Sequence, residues 1–141
     1  MTHLVRNVFT ASLLLVGFTY AQDSAAPAPT QLFAGAKVYI EVAEGDQFGM
    51  ALGASFIDKK VPLSVVNSPE IADFTIRSTS DDRKGSTVGK IFGVSRDRYH
   101  ATISIYNRDG ILVFAYNVKK NTFQDAANST ANEIKKKGIK S

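Results

Sequence analysis

The chain has 141 residues, with 17 Lys and Arg against 13 Asp and Glu, a formal net charge of +4, and no cysteine. The missing cysteine excludes disulfides, thiolate metal sites and a lipid-modified amino-terminal cysteine, so an exported chain of this composition has to hold itself together with a buried core. A folded region of ~100 residues is large enough to do so.

The first 21 residues read as an export signal. Arg6 supplies a basic start, Val8 to Phe18 is mostly apolar, and Thr19-Tyr20-Ala21 makes a small-x-small cleavage site before Gln22. The apolar run is shorter than the roughly 20 residues a membrane span needs, which favours removal over anchoring. Loss of Arg6 would reduce the 17 basic residues to 16 against 13 acidic ones, or about +3. Residues 22–36, rich in Ala and Pro and without periodicity, read as a flexible linker. A single domain is expected over 37–141.

Within that domain, Lys37 to Val42 alternates, with Val38, Ile40 and Val42 on one face, and predicts the first strand. Asp46 is placed to cap a helix running through Lys60, whose Phe48, Leu52 and Phe56 recur every four residues for packing on a sheet. Gly49 and Gly53 inside that helix each cost about 1 kcal/mol relative to alanine and point to close approach of the sheet or of another chain. Val61 to Val66 predicts a second strand, parallel to the first because a helix connects them. Ser68-Pro69-Glu70 marks a turn, and Ala72 to Thr79 a third strand with Phe74 and Ile76 inward and Thr75 and Arg77 outward.

Asp81 to Tyr99 holds Gly85, Gly89 and Gly93, many charges and the apolar island Ile91 to Val94, as a long hairpin tip or a loop would. Its aromatic and basic residues Phe92, Arg96, Arg98, Tyr99 and His100 form a candidate partner-contact surface; the alternative is a hairpin extension with solvated charges. His100 to Val118 then predicts a β-hairpin around Asn107-Arg108-Asp109-Gly110, with Gly110 in a left-handed conformation. Ile103 and Ile105 face the helices on one strand, and either Val113 and Ala115 or Leu112 and Phe114 on the other. Asn121 or Thr122 caps a last helix with the stripe Phe123, Ala126, Ala127, Thr130 and Ile134, ended by Gly138. The order β-α-β-β-β-β-α predicts an α+β, two-layer fold: a mixed sheet of about five strands with two helices on one face.

Chemical motifs are sparse. Gly85 to Lys90 resembles a phosphate loop but has three residues between its glycines instead of four, and Ile91 where a metal-binding hydroxyl belongs. Beyond the leader His100 is the sole histidine, so a His/Cys metal site cannot form within one chain, and no cofactor is indicated. A hydrolase would have to use His100, with Ser104 four residues on as nucleophile. Asp81-Asp82 reads as a solvated turn, and Asn128-Ser129-Thr130 as a glycosylation sequon inside a helix. Lys135, Lys136, Lys137 and Lys140 form a candidate anionic-surface contact, or simply cations at a helix C-terminus. They lack the interleaved aromatics of single-strand nucleic-acid readers, so no nucleic-acid partner is expected. Tyr39, Tyr106 and Tyr116 would line up as an aromatic row if their strands were neighbours.

The strand Lys37 to Val42 with its helix, Val61-Pro62-Leu63, the Ala72-Asp73-Phe74-Thr75-Ile76 strand, the Gly110 hairpin ending Val113-Phe114-Ala115-Tyr116 and the terminal helix together resemble the small α/β module of bacterial envelope proteins. The pattern is similar to the amino-terminal domain of TolB and the core of CsgG-like secretion lipoproteins. The resemblance implies a non-enzymatic protein, periplasmic or otherwise exported, that works by contact with an envelope protein and meets the membrane by surface contact if at all. The chain departs from the lipoprotein members in lacking their lipidated cysteine.

Overall fold

The computed structural model describes residues 26–83 and 98–140. The export signal, the phosphate-loop-like stretch, Phe92 and Arg96 lie outside the described residues.

The described residues form, in order, β1 (Leu32–Phe33), β2 (Lys37–Glu41), α1 (Gln47–Asp58), β3 (Ser64–Val66), a 3-10 turn (Pro69–Ile71), β4 (Phe74–Arg83), β5 (Arg98–Asn107), β6 (Leu112–Lys120), α2 (Phe123–Glu133), a π turn (Ile134–Gly138) and β7 (Ile139–Lys140). The main sheet has the order β3-β2-β4-β5-β6, and β1 pairs with β7 separately. β2 is parallel to both β3 and β4, while β4-β5 and β5-β6 are antiparallel. This is the mixed five-stranded sheet under two helices that the periodicities predict.

The first helix starts where its side chains specify. Asp46 Oδ1 accepts from the Phe48 amide at 3.0 Å, and Asp46 Oδ2 accepts from Ser78 Oγ at 2.7 Å, so one carboxylate both caps α1 and ties it to β4. Gly49 shows the close approach expected of it, because a Cβ there would sit 2.9 Å from Val42 Cγ2; at Gly53 a Cβ would make an ordinary 3.6 Å contact with Ile40. The helix ends in a Schellman arrangement: the Val61 amide donates to Phe56 O (2.9 Å) and the Lys60 amide to Ile57 O (3.1 Å). The C′ residue there is Lys60, at φ +51°, where glycine would be relaxed.

Both helices lie on one face of the sheet, side by side, with Ser55 Oγ donating to Asn128 Oδ1 at 3.0 Å across their interface. They cover Val38, Ile40, Phe74, Ile76, Ala101, Ile103, Ile105 and Val118, all buried. The hairpin settles the choice left open for β6. Ile105 pairs with Phe114 but Tyr106 with Leu112, so Val113 is an extra, bulged residue. Val113 and Phe114 therefore both pack against the core, a combination that strict alternation does not generate.

Two expectations are corrected. Val42 lies past the end of β2 and is 41% exposed. The linker expected over 22–36 is structured at its far end: Leu32 is fully buried and β1 pairs with β7, the Gly35 amide donates to Pro62 O (2.7 Å), and Asn107 Nδ2 donates to Pro29 O (3.0 Å). A two-residue strand has no period to read, which is why composition alone misplaces it.

Two stability measurements check this account. Ile103→Ala, at a fully buried position, is expected to lower unfolding free energy by about 2–5 kcal/mol in urea titration, against under about 0.5 kcal/mol for Ser104→Ala on the uncovered face. Lys60→Gly is expected to raise it by about 1 kcal/mol by relieving the left-handed backbone.

Candidate functional site: the open face of the sheet

Parity decides what the uncovered face carries. Along β5, burial alternates strictly, with Tyr99, Ala101, Ile103, Ile105 and Asn107 buried and Arg98, His100, Thr102, Ser104 and Tyr106 on the other side. The register aligns the latter with neighbours in rows. One row runs Val66, Tyr39, Thr75, Tyr106, Leu112, and the next runs Glu41, Arg77, Ser104, Ala115. Thr79, Thr102 and Asn117 form a third, in which Asn117 Nδ2 donates to Thr102 Oγ1 at 3.1 Å. The face is thus a field of small hydroxyl-bearing residues with Tyr39, Tyr106 and Arg77 set in its middle.

Arg77 organises the middle of that field. Its Nε donates to Glu41 Oε2 at 2.7 Å and its guanidinium carbon lies 5.4 Å from the centroid of the Tyr106 ring, within cation-π range. The hydrogen bond and charge of Glu41, with a smaller contribution from Tyr106, raise the Arg77 pKa further above its ordinary value, so it is a permanent cation. Beside it an open groove of about 420 Å³ runs between the 3-10 turn and the hairpin turn, lined by Glu70, Asp73, Thr75, Arg77, Tyr106 and Arg108 among others.

The walls of this groove are tied together. Arg108 donates to Ala72 O (2.8 Å) and to Asp73 Oδ1 (3.1 Å), while Asp73 Oδ2 accepts from the Lys37 amide at 2.9 Å. Ser68 donates to Glu70, which lowers the pKa of that carboxyl. Asn107, nearly fully buried, shapes the hairpin end: its Oδ1 accepts from the Asp109 and Ile111 amides at 3.0 and 2.9 Å, and Gly110 takes φ +75°. Arginine, carboxylate and tyrosine groups held in fixed positions can orient a polar partner. They provide no nucleophile activated by a base.

Of the residues proposed as one contact surface, the structure describes Arg98, Tyr99 and His100, and Tyr99 faces the opposite side of β5 from the other two. Tyr99 points into the core, with ring centroids 6.0 Å from Phe48 and 6.4 Å from Phe123, so it bridges sheet and helices. Arg98 is exposed at the start of β5, and His100 lies half-buried on the open face. His100 and Ser104 share that face, but four residues of extended strand separate them by about 13 Å, too far for one to activate the other. Asp81 and Asp82 belong to β4 and pair in backbone register with His100 and Tyr99, so they are not turn residues. Among the described residues no group of three His, Cys, Asp or Glu could hold a metal ion.

The tyrosine row is also divided. Tyr39 and Tyr106 flank Thr75 on the open face, whereas Tyr116 pairs with Ile103 and turns to the helices, its hydroxyl 3.4 Å from Ser129 Oγ. Asn128 of the sequon faces α1 through its bond to Ser55. In the lysine cluster, Lys135 Nζ donates to Lys59 O at 2.9 Å and Lys137 pairs with Glu133 at 2.6 Å; Lys136 is exposed on the π turn and Lys140 on β7. Two of these four ammonium groups are therefore engaged with the fold itself.

A second groove, of about 570 Å³, lies where the N-termini of α1 and α2 meet β4 and β5, near Asp46, Ser80, Tyr99 and Thr122. Its helix ends are already capped, by Asp46 and by Thr122, which accepts from the Asp125 amide at 3.1 Å.

Neither a protein-family model nor a curated protein matches the chain. Solved structures do. PelC from Paraburkholderia phytofirmans, solved as a dodecamer, is 11% identical over 82% of this chain and 96% of its own, with a TM-score of 0.51. At that identity the likeness establishes a shared fold. A minor lipoprotein from Acinetobacter baumannii (16% identity, 70% of this chain and 91% of that one, TM-score 0.46) and protein XCC0632 from Xanthomonas campestris (9%, 77% and 86%, TM-score 0.48) are more distant in shape. The TolB and CsgG-like naming read from the sequence finds no specific support in these comparisons; what stands is the fold shared with PelC.

Substitution separates the two sides of β5. Tyr99→Ala is expected to destabilise the fold by about 3–5 kcal/mol, against within about 0.5 kcal/mol for Arg98→Ala, measured by chemical denaturation.

Proposed function

We propose that the chain is an exported, non-enzymatic binding or assembly module of the bacterial envelope that holds a protein partner on its open sheet face. The observation that carries this reading is the one-sided helix layer: among the described residues both helices cover the same face of the five strands, and the other presents Tyr39, Arg77, Tyr106 and a field of hydroxyl groups beside the groove at the hairpin turn. Tyrosine and arginine are the residue types that dominate binding energy at protein interfaces, because each combines a large apolar area with a directional polar group. The export-type leader supports the compartment. The fold shared with PelC, which forms a dodecamer, supports an assembly reading.

Catalysis is disfavoured by geometry. His100, the one imidazole beyond the leader, is separated by about 13 Å along the strand from Ser104, the nucleophile the sequence offered it.

The test is capture from envelope extract with the chain lacking residues 1–21, beside a Tyr39→Ser/Arg77→Ala/Tyr106→Ser variant. These positions are on the uncovered face, so the fold is retained, as a far-UV spectrum will check. Recovery of a specific partner should fall by about tenfold or more; identical recovery of every captured protein by both would overturn the assignment.

A further inference from the structure

The helix layer ends in lysine. Lys59 and Lys60 close α1, and Lys135, Lys136 and Lys137 lie in the π turn that follows α2. The two runs meet, because Lys135 Nζ donates to Lys59 O at 2.9 Å and so brings its ammonium group to the C-terminus of the neighbouring helix. Two acids accompany them. Asp58 pairs with Lys59 at 2.8 Å and Glu133 with Lys137 at 2.6 Å, so that among the described residues Lys60, Lys135 and Lys136 have no carboxylate partner. All three are exposed. The helix repeat sets the direction of Lys136: Ile134 is fully buried in the core, and two residues on, about 200° around the axis, lies the side of the layer turned away from it.

Apolar surface adjoins these cations. Ile57, 81% exposed, is the most exposed large apolar side chain among the described residues, and it lines a shallow groove of about 270 Å³ with Lys60, Leu63 and Val65. Val65 stands in register with the buried Val38, so the groove opens on the helix side of the sheet. Lys60 is itself strained. It takes φ +51° at the C′ position of α1, where glycine would be relaxed, and strained backbone of this kind clusters at binding sites. What this residue adds there over glycine is a cation on a long aliphatic stem.

We infer that this corner of the helix layer rests on an anionic lipid bilayer, with Lys60, Lys135 and Lys136 among the phosphate headgroups and Ile57 inserted beneath them. Charge complementarity selects the anionic surface, and the form of the patch selects lipid. Its cations are all lysines, compact point charges without the planar fork that reads a fixed carboxylate, and mobile headgroups can rearrange around such charges. Its apolar element is the convex flank of a helix, which an acyl layer accepts by yielding. Both helices cover the face of the sheet opposite Arg77 and Tyr106, so the open face is turned away from the bilayer. The inference is independent of the reading of that face.

Cosedimentation with lipid vesicles tests this, using the chain lacking residues 1–21. It should bind vesicles of mixed phosphatidylglycerol and phosphatidylcholine at low ionic strength, leave pure phosphatidylcholine vesicles unbound, and be released by about 0.5 M salt. Lys60→Gly and Lys136→Ala should each weaken binding about fivefold, the effect of one lysine near an anionic surface. Ile57→Gln should weaken it about tenfold through lost apolar insertion. Lys60→Gly separates binding from folding, since that substitution relieves the backbone and is expected to raise stability. Lys119→Ala/Lys120→Ala controls for position: these lysines end β6, whereas the π turn packs by Gly138 near Phe114 at its start, so the pair should leave binding unchanged. Absence of binding to phosphatidylglycerol vesicles, equal binding to neutral ones, indifference to salt, or retention of wild-type binding by the Lys60, Lys136 and Ile57 variants would each overturn the inference. So would an equal loss in the Lys119/Lys120 control, or capture of an acidic protein through Lys60 and Lys136 by a chain that ignores vesicles.

Discussion

Burial on one face alone is the constraint from which the rest of the structure follows. The helix-facing positions at the middle of β2, β4 and β5 have to be apolar to meet α1 and α2, and Phe74, Ile76, Ile103 and Ile105 meet that demand with almost no exposure. Because strand side chains alternate strictly, meeting it on one face decides the other: Thr75, Arg77, Thr102, Ser104 and Tyr106 are sent to the uncovered side whatever their own chemistry. Register thus couples stability to surface composition. A one-residue slip between β4 and β5 would bury Arg77 and expose Ile76, and this forbids it.

The uncovered face is organised by ties that are individually weak. The Arg77-Glu41 and Arg108-Asp73 pairs are both solvent-exposed, and pairs of that kind contribute typically under about 1 kcal/mol each. Their effect is positional. Arg77 is held over the Tyr106 ring and Arg108 against Ala72 O, so the groove between the 3-10 turn and the hairpin is bounded by side chains already restricted in rotation. A partner that meets them loses less entropy on binding. The helix layer has the opposite character, being packed and apolar inside and, along Met50, Ala54 and Ile57, apolar outside as well.

Much of this was legible in the chain. Asp46 before a four-residue apolar repeat, Thr122 before Phe123, alternation from Ala101 to Tyr106 and glycine at 110 each encode a local conformation, and each forms where its chemistry places it. The outward direction of Thr75 and Arg77 was legible too, since alternation is local. What escaped was whatever depends on a second segment. Tyr99 looked like a surface aromatic beside Arg98 and His100 because three adjacent residues read as one patch, yet strand parity puts Tyr99 on the opposite face from both. Tyr116 separates from Tyr39 and Tyr106 because the bulge at Val113 shifts the phase of β6. Leu32 gave no periodic signal, and its burial depends on Ile139 arriving beside it from more than a hundred residues away.

By itself, then, the sequence determined the element order, the helix caps, the hairpin turn and the identity of the core-facing residues on β2, β4 and β5, because these rest on interactions within a few positions of the chain. Only the tertiary structure decided which residues share a face or an edge: Arg77 with Tyr106 and Glu41, Ile57 with Val65, and Val66 at the same height as Leu112. Those relations arise from strand order and register, set by long-range pairing through the whole core, and no local pattern contains them.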